Sequence, residues 1–99
     1  MALGVASAPS EFDGAKVIAT AVVDETVRPT GGTIHRGPDG VIPSASALAI
    51  VEGESGIFLL YCDREWQVLT DTWHVSVSDA RAQAEFEYDG ISRVWKNAV

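Results

Sequence analysis

Four side chains carry the chemistry from which a nucleophilic or metal-binding site is usually assembled: Cys62, His35, Asp71 and His74. A cysteine nucleophile needs an adjacent imidazole to take its proton and a third group to orient that base. The spacing argues against such a triad. Cys62 closes one apolar run, and the eight residues from Trp66 to His74 span roughly 26 Å if that strand stays extended. Cys62 is therefore expected to be a buried structural thiol. Zinc normally takes three or four Cys or His ligands at recognisable spacing, and one cysteine and two histidines without C-x-x-C or H-x-x-x-H do not supply it. Gly31-Gly32-Thr33 lacks the lysine and helix signal of a phosphate loop. No catalytic, metal or cofactor-binding residues are assigned. What remains is a candidate ligand site at Asp71 and His74, joined by His35, with a structural His74 bonded to a carbonyl or carboxylate as the alternative.

The element that positions these groups is the stretch Ile57 to Tyr88, which reads as a β-hairpin running into an amphipathic helix. Ile57 to Cys62 is nearly all apolar and too short for a helix, so it reads as a strand buried on both faces. A three-residue loop, Asp63-Arg64-Glu65, would set Cys62 opposite Trp66, Leu60 opposite Val68 and Phe58 opposite Thr70. Ile57, Leu59 and Tyr61 would then share the other face with Asp71, Leu69 and Gln67. A one-residue change in the loop would exchange those faces. Ser76 can cap a helix starting at Val77, with Asp79 at N3 and Val75 able to staple against Ala80. At about 100° per residue, Val77, Ala80, Ala84 and Tyr88 form the core stripe, Arg81 and Glu87 its margins, while Ala82 and Phe86 face outward. Asp89-Gly90 supplies the stop.

Upstream, Ala15 to Val23 reads as a strand of alternating sides, and Asp24 to Gly32 as a loop. Thr33 to Arg36 and Val41 to Ile42 flank a Gly37-Pro38-Asp39-Gly40 turn. Ala47 to Val51 pairs with Ile57 to Cys62 across Glu52 to Gly56. The expected fold is α+β: an antiparallel sheet of about four or five strands with one C-terminal helix packed on one face. Residues 1–10 read as a flexible lead and 11–99 as a single domain. Trp95 should tuck the tail back. The far face of the sheet needs a cover, either the N-terminal strand with the Thr33 to Ile42 hairpin or a second copy in a symmetric dimer.

The run Trp66-Gln67-Val68-Leu69-Thr70-Asp71-Thr72-Trp73-His74, followed by Asp79-Ala80 and Gln83-Ala84-Glu85-Phe86-Glu87-Tyr88, resembles a set of small, stand-alone bacterial proteins of uncharacterised function. The resemblance covers about half the chain, roughly Ala47 to Trp95. It implies a compact bacterial protein without an established activity, so it transfers no functional residues.

Charge narrows the partners. The net charge is −7, and it lies between Ile50 and Gly90, where nine acids face two bases; elsewhere five acids balance five bases. A negative surface without a basic patch repels phosphate backbones and anionic lipid, which argues against nucleic-acid or membrane binding. A single cysteine permits no internal disulfide, which fits a reducing cytoplasm. The leading expectation is a non-enzymatic interaction or inhibitor/immunity-type module. It would present Ala82, Glu85, Phe86, Glu87 and Trp95 to a basic protein partner or to a second copy. The rival is a small-ligand binder or enzyme at the Asp71–His74 junction.

Overall fold

The computed structural model describes residues 5–32, 35–38 and 40–97. The fold is α+β, with one helix packed on a curled antiparallel sheet. The strands are β1 (Glu11–Phe12), β2 (Ala15–Val22), β3 (Arg28–Pro29), β4 (Arg36–Gly37), β5 (Gly40–Val41), β6 (Ala47–Gly53), β7 (Gly56–Cys62) and β8 (Val68–His74). Helix α1 (Val77–Glu87) follows, then β9 (Tyr88–Asp89), a 3-10 turn at Ile91–Arg93 and β10 (Lys96–Asn97). The main sheet runs in the order β1-β2-β6-β7-β8, with β10 also paired to β2. Thr33, Ile34 and Asp39, part of the expected hairpin, lie outside the described residues.

Strand β6 is apolar at every position from Ala47 to Val51 because both of its faces are covered. Leu48 and Ile50 join Ile57, Leu59 and Tyr61 under the helix. Ala47, Ala49 and Val51 join Leu60 and Cys62 on the far face. The expected strict alternation of β2 is corrected by a bulge between Val17 and Ala19. One extra residue there leaves Val17 in the far-face cluster and sends Ala21 to the helix side.

The β7–β8 register also differs from the expectation. Leu60 lies opposite Asp71, Phe58 opposite Trp73 and Tyr61 opposite Thr70. The loop is longer than three residues: Asp63 N donates to Gln67 O at 3.0 Å, and Asp63 Oδ1 accepts from Glu65 N and Gln67 N. Trp66 sits inside this loop with φ of 63° rather than on the strand. Cys62 therefore pairs with Val68, and a bulge follows at once, Tyr61 pairing with Thr70 so that Leu69 is the extra residue. This one-residue shift turns Thr70, Thr72 and His74 to the helix side and Asp71 and Trp73 away from it.

Helix α1 starts as its residues dictate, with Ser76 Oγ accepting from Asp79 N at 3.1 Å. Val75 forms no staple, being 72% exposed. Ala80 and Ala84 are buried against the sheet, and Val77 packs at the edge of that core. Small side chains let the helix sit close to β7.

The far face is covered in part by Trp66, Val5, Phe12 and Ala15. Trp66 Nε1 donates to Ala6 O at 2.7 Å, and Ala6 N donates to Arg64 O at 2.8 Å. The N-terminal segment thus shields this face, while the loop carrying β4 and β5 lies on the helix side. Trp95 packs against the helix-side core, with the Arg81 guanidinium 5.6 Å from its ring centroid.

Candidate functional site

Glu87 is the one buried charged side chain among the described residues, at 5% exposure. It is the last residue of α1, where the helix dipole presents negative potential, and the last turn carries no basic residue. Burying a carboxylate there is costly unless donors surround it. Three do. His35 Nε2 lies 2.7 Å from Oε1, Gln83 Nε2 donates to Oε2 at 2.9 Å, and the Tyr61 hydroxyl donates to Oε2.

Each partner arrives for a structural reason. Tyr61 stands on the helix face of β7, and Gln83 is one helical turn before Glu87. His35 comes from a distant segment strapped to the helix end: Thr30 N donates to Glu87 O at 2.8 Å and Thr30 Oγ1 to Phe86 O at 2.7 Å. Those bonds satisfy two carbonyls that a helix C-terminus leaves open. Pairing of β3 with β9 continues the strap. The His35 ring then rests against Tyr61, centroids 4.5 Å apart.

Burial, and then the bond to Glu87, push the Tyr61 phenol well above its ordinary range. It keeps its proton and spends it on the carboxylate. Its oxygen is left to accept from Thr72 Oγ1 at 3.5 Å, the outer limit of a hydrogen bond, and Thr72 Oγ1 contacts His74 Nε2 at 2.7 Å. His74 therefore joins the cluster only through a long step.

A cavity of about 170 Å³ opens over this cluster. His35, Tyr61 and Glu87 contribute polar groups, and Ile42, Pro43 and Tyr88 supply apolar wall. Tyr88 is itself fixed, its hydroxyl accepting from Ala45 N at 2.9 Å.

The sequence-derived candidates separate accordingly. His35 lines the cavity, whereas His74 and Asp71 do not. Asp71 is excluded from the cluster because its side chain points to the opposite face. Trp73 is 53% exposed on that far face, its Nε1 donating to Ser55 O at 3.0 Å. Of the helix residues, Ala82, Glu85 and Phe86 are exposed, Phe86 at 58% with its ring against Gly32. Trp95 is half-buried and Glu87 interior. Cys62 belongs to the far-face cluster, remote from either histidine's side of the sheet, and burial pushes its thiol up to about 12. No three of the described His, Cys, Asp and Glu residues form a group that could hold a metal ion.

Tyr61 and the interior placement of Glu87 escaped the sequence reading. The signal was present: Ala80, Ala84 and Glu87 follow i, i+4, i+7, the spacing of a single buried stripe.

Comparison with protein-family models, curated proteins and solved structures returned no match. The geometry of the site is thus the ground for function. Among the described residues no helix is long and apolar enough to cross a membrane.

Proposed function

We propose that the protein binds a small organic ligand in the cavity over Glu87, with His35 as the side chain that meets it. The observation that carries this reading is Glu87 itself. An apolar residue at the end of α1 would close the core at lower electrostatic cost, yet a carboxylate stands there with three donors and a cavity beside it. With Nε2 held by Glu87, the imidazole is oriented and Nδ1 is its remaining polar atom. That is the arrangement in which a carboxylate positions a histidine for binding or proton transfer. The test is a fragment screen on the intact chain, read by NMR of the His35 ring. Fragments that shift His35 together with Ile42 support the reading. A screen whose hits all map elsewhere, or that gives none, removes it.

A second reading, a protein-interaction or inhibitor/immunity-type module, is favoured by the edge of the sheet. Strand β8 ends the strand order, and its outer backbone has no backbone partner among the described residues. Val68 and Trp73 are exposed on it and Val75 just beyond its end, without the Lys or Pro that usually blunts such an edge. The acidic surroundings suit a basic partner strand, and self-pairing of two copies is the other outcome. Sedimentation at micromolar concentration and pull-down at low and high salt check it. A strict monomer with no salt-sensitive partner rejects this reading.

A further inference from the structure

We infer that the ligand of the Glu87 cavity is a small organic cation, a primary ammonium or similar group on a short hydrocarbon body, and not an anion. The inference rests on the ligand-site reading and specifies its chemistry.

Three features lead to it. The first is charge. Glu87 lines the cavity, and no Lys or Arg lines it among the described residues. Ser44 and Thr70 also line it, but a hydroxyl can donate or accept, so these do not select the sign of a ligand. The formal charge does, and the −7 concentrated in the surrounding segment draws cations in.

The second is the hydrogen-bond inventory. Glu87 Oε2 accepts from both Tyr61 and Gln83, which fills it, while Oε1 meets only His35 and keeps one acceptor position. Tyr61 donates its proton to Glu87 and so cannot offer it to a ligand. The donors of the cluster, on His35, Tyr61 and Gln83, are already turned onto the carboxylate. What the cluster still offers is an acceptor, and an N–H donor bearing positive charge makes the stronger bond to it.

The third is size and wall chemistry. About 170 Å³ is well below the roughly 300–1,000 Å³ of drug-sized sites. Ile42, Pro43 and Val41 line it, which suits a body of a few methylene groups.

The experiment compares three four-carbon probes on the full chain at neutral pH: n-butylammonium, n-butanol and butyrate. Each is titrated while the His35 ring and Ile42 methyl resonances are followed. Butylammonium should saturate and bind about tenfold more tightly than butanol, as expected for a charge-assisted over a neutral hydrogen bond, and butyrate should produce no saturable shift. In Glu87→Gln, butylammonium should lose that tenfold advantage over butanol. Should that variant not fold, intermolecular NOEs from the butylammonium chain to Ile42 in the wild-type chain stand in its place. Butanol or butyrate binding as tightly as butylammonium, with the same shifts, overturns the cation while leaving the site intact. If the fragment screen finds His35-directed ligands and none is cationic, the inference falls alone. If nothing of any charge shifts His35, both fall.

Discussion

His35 and Glu87, 52 positions apart in the chain, meet with Nε2 2.7 Å from Oε1. The contact joins the loop before β4 to the last residue of α1. It serves two purposes at once, because the bond that seats the loop also orients the imidazole at the cavity. Thr30 reinforces the same junction from the backbone side.

His35→Ala should destabilise the chain by about 1–3 kcal/mol, since it leaves a buried carboxylate short of one donor. The double variant His35→Ala/Glu87→Gln should cost less than the sum of the two single changes, because the neutral amide needs that donor less. Urea unfolding of the four chains measures the coupling. Strict additivity would show that the two groups do not interact.

Tyr61→Phe removes the hydroxyl while keeping the ring that packs on His35. Loss of a donor to a charged group predicts a cost of about 1–3 kcal/mol, with the far-face cluster unaffected. Thermal unfolding gives the first quantity, and the near-ultraviolet signal of Trp66 reports the second. A variant as stable as the parent would mean that Tyr61 does not support Glu87.

Alkaline pH should destabilise the fold. Burial raises the Tyr61 and Tyr88 phenols and takes the Cys62 thiol to about 12. In each case the neutral, protonated form is the one the fold retains. Once pH passes the ordinary values, roughly 8.5 for Cys and 10 for Tyr, the unfolded chain binds fewer protons than the folded one. Stability then falls with rising pH, by up to about 1.4 kcal/mol per unit for each group. Urea midpoints at pH 8, 9 and 10 check the sign; a midpoint that rises across that range contradicts it. Native Cys62 should also resist iodoacetamide at pH 8.5 and react once the chain is unfolded.

Ser76→Ala deletes the cap seen at 3.1 Å from Asp79 N and should cost about 1 kcal/mol. Ser76→Asp should restore most of it. Equal stability of parent and alanine variant would mean that the cap contributes nothing.

Gly56→Ala tests the seat of Trp73. The glycine has φ of 143°, and a Cβ there would lie 2.5 Å from Trp73 Nε1. The variant should lose more than about 1 kcal/mol and move Trp73 off Ser55, shifting its fluorescence to the red. An unshifted spectrum with unchanged stability would count against this geometry.

Much of the architecture is local and so was readable beforehand. The Ser76 cap, the i, i+4 alanines of α1 and the apolar runs of β6 and β7 act over a few residues, and each formed where its side chains require. The antiparallel pairing of β6 with β7 follows from a short turn between two apolar segments. The register of β8 did not follow, because Asp63 folds its own loop around Trp66 and thereby lengthens it, and because Leu69 then bulges out of the ladder with β7. The loop shifts the register by two and keeps the faces; the bulge at Leu69 decided that Asp71 faces away and that Thr72 and His74 face the helix.

The candidate site belongs to the other category. Periodicity placed Glu87 near the buried stripe, and residue type marked His35 as reactive, but nothing short-range connects positions 35 and 87. Their meeting depends on the strap of Thr30 and β3 against the end of α1 and β9. Local sequence determines which segments become helix and strand, because propensity and capping are summed over neighbours. Only the closed tertiary structure decides which distant side chain completes the shell of a buried carboxylate, since that depends on how segments far apart in the chain pack together.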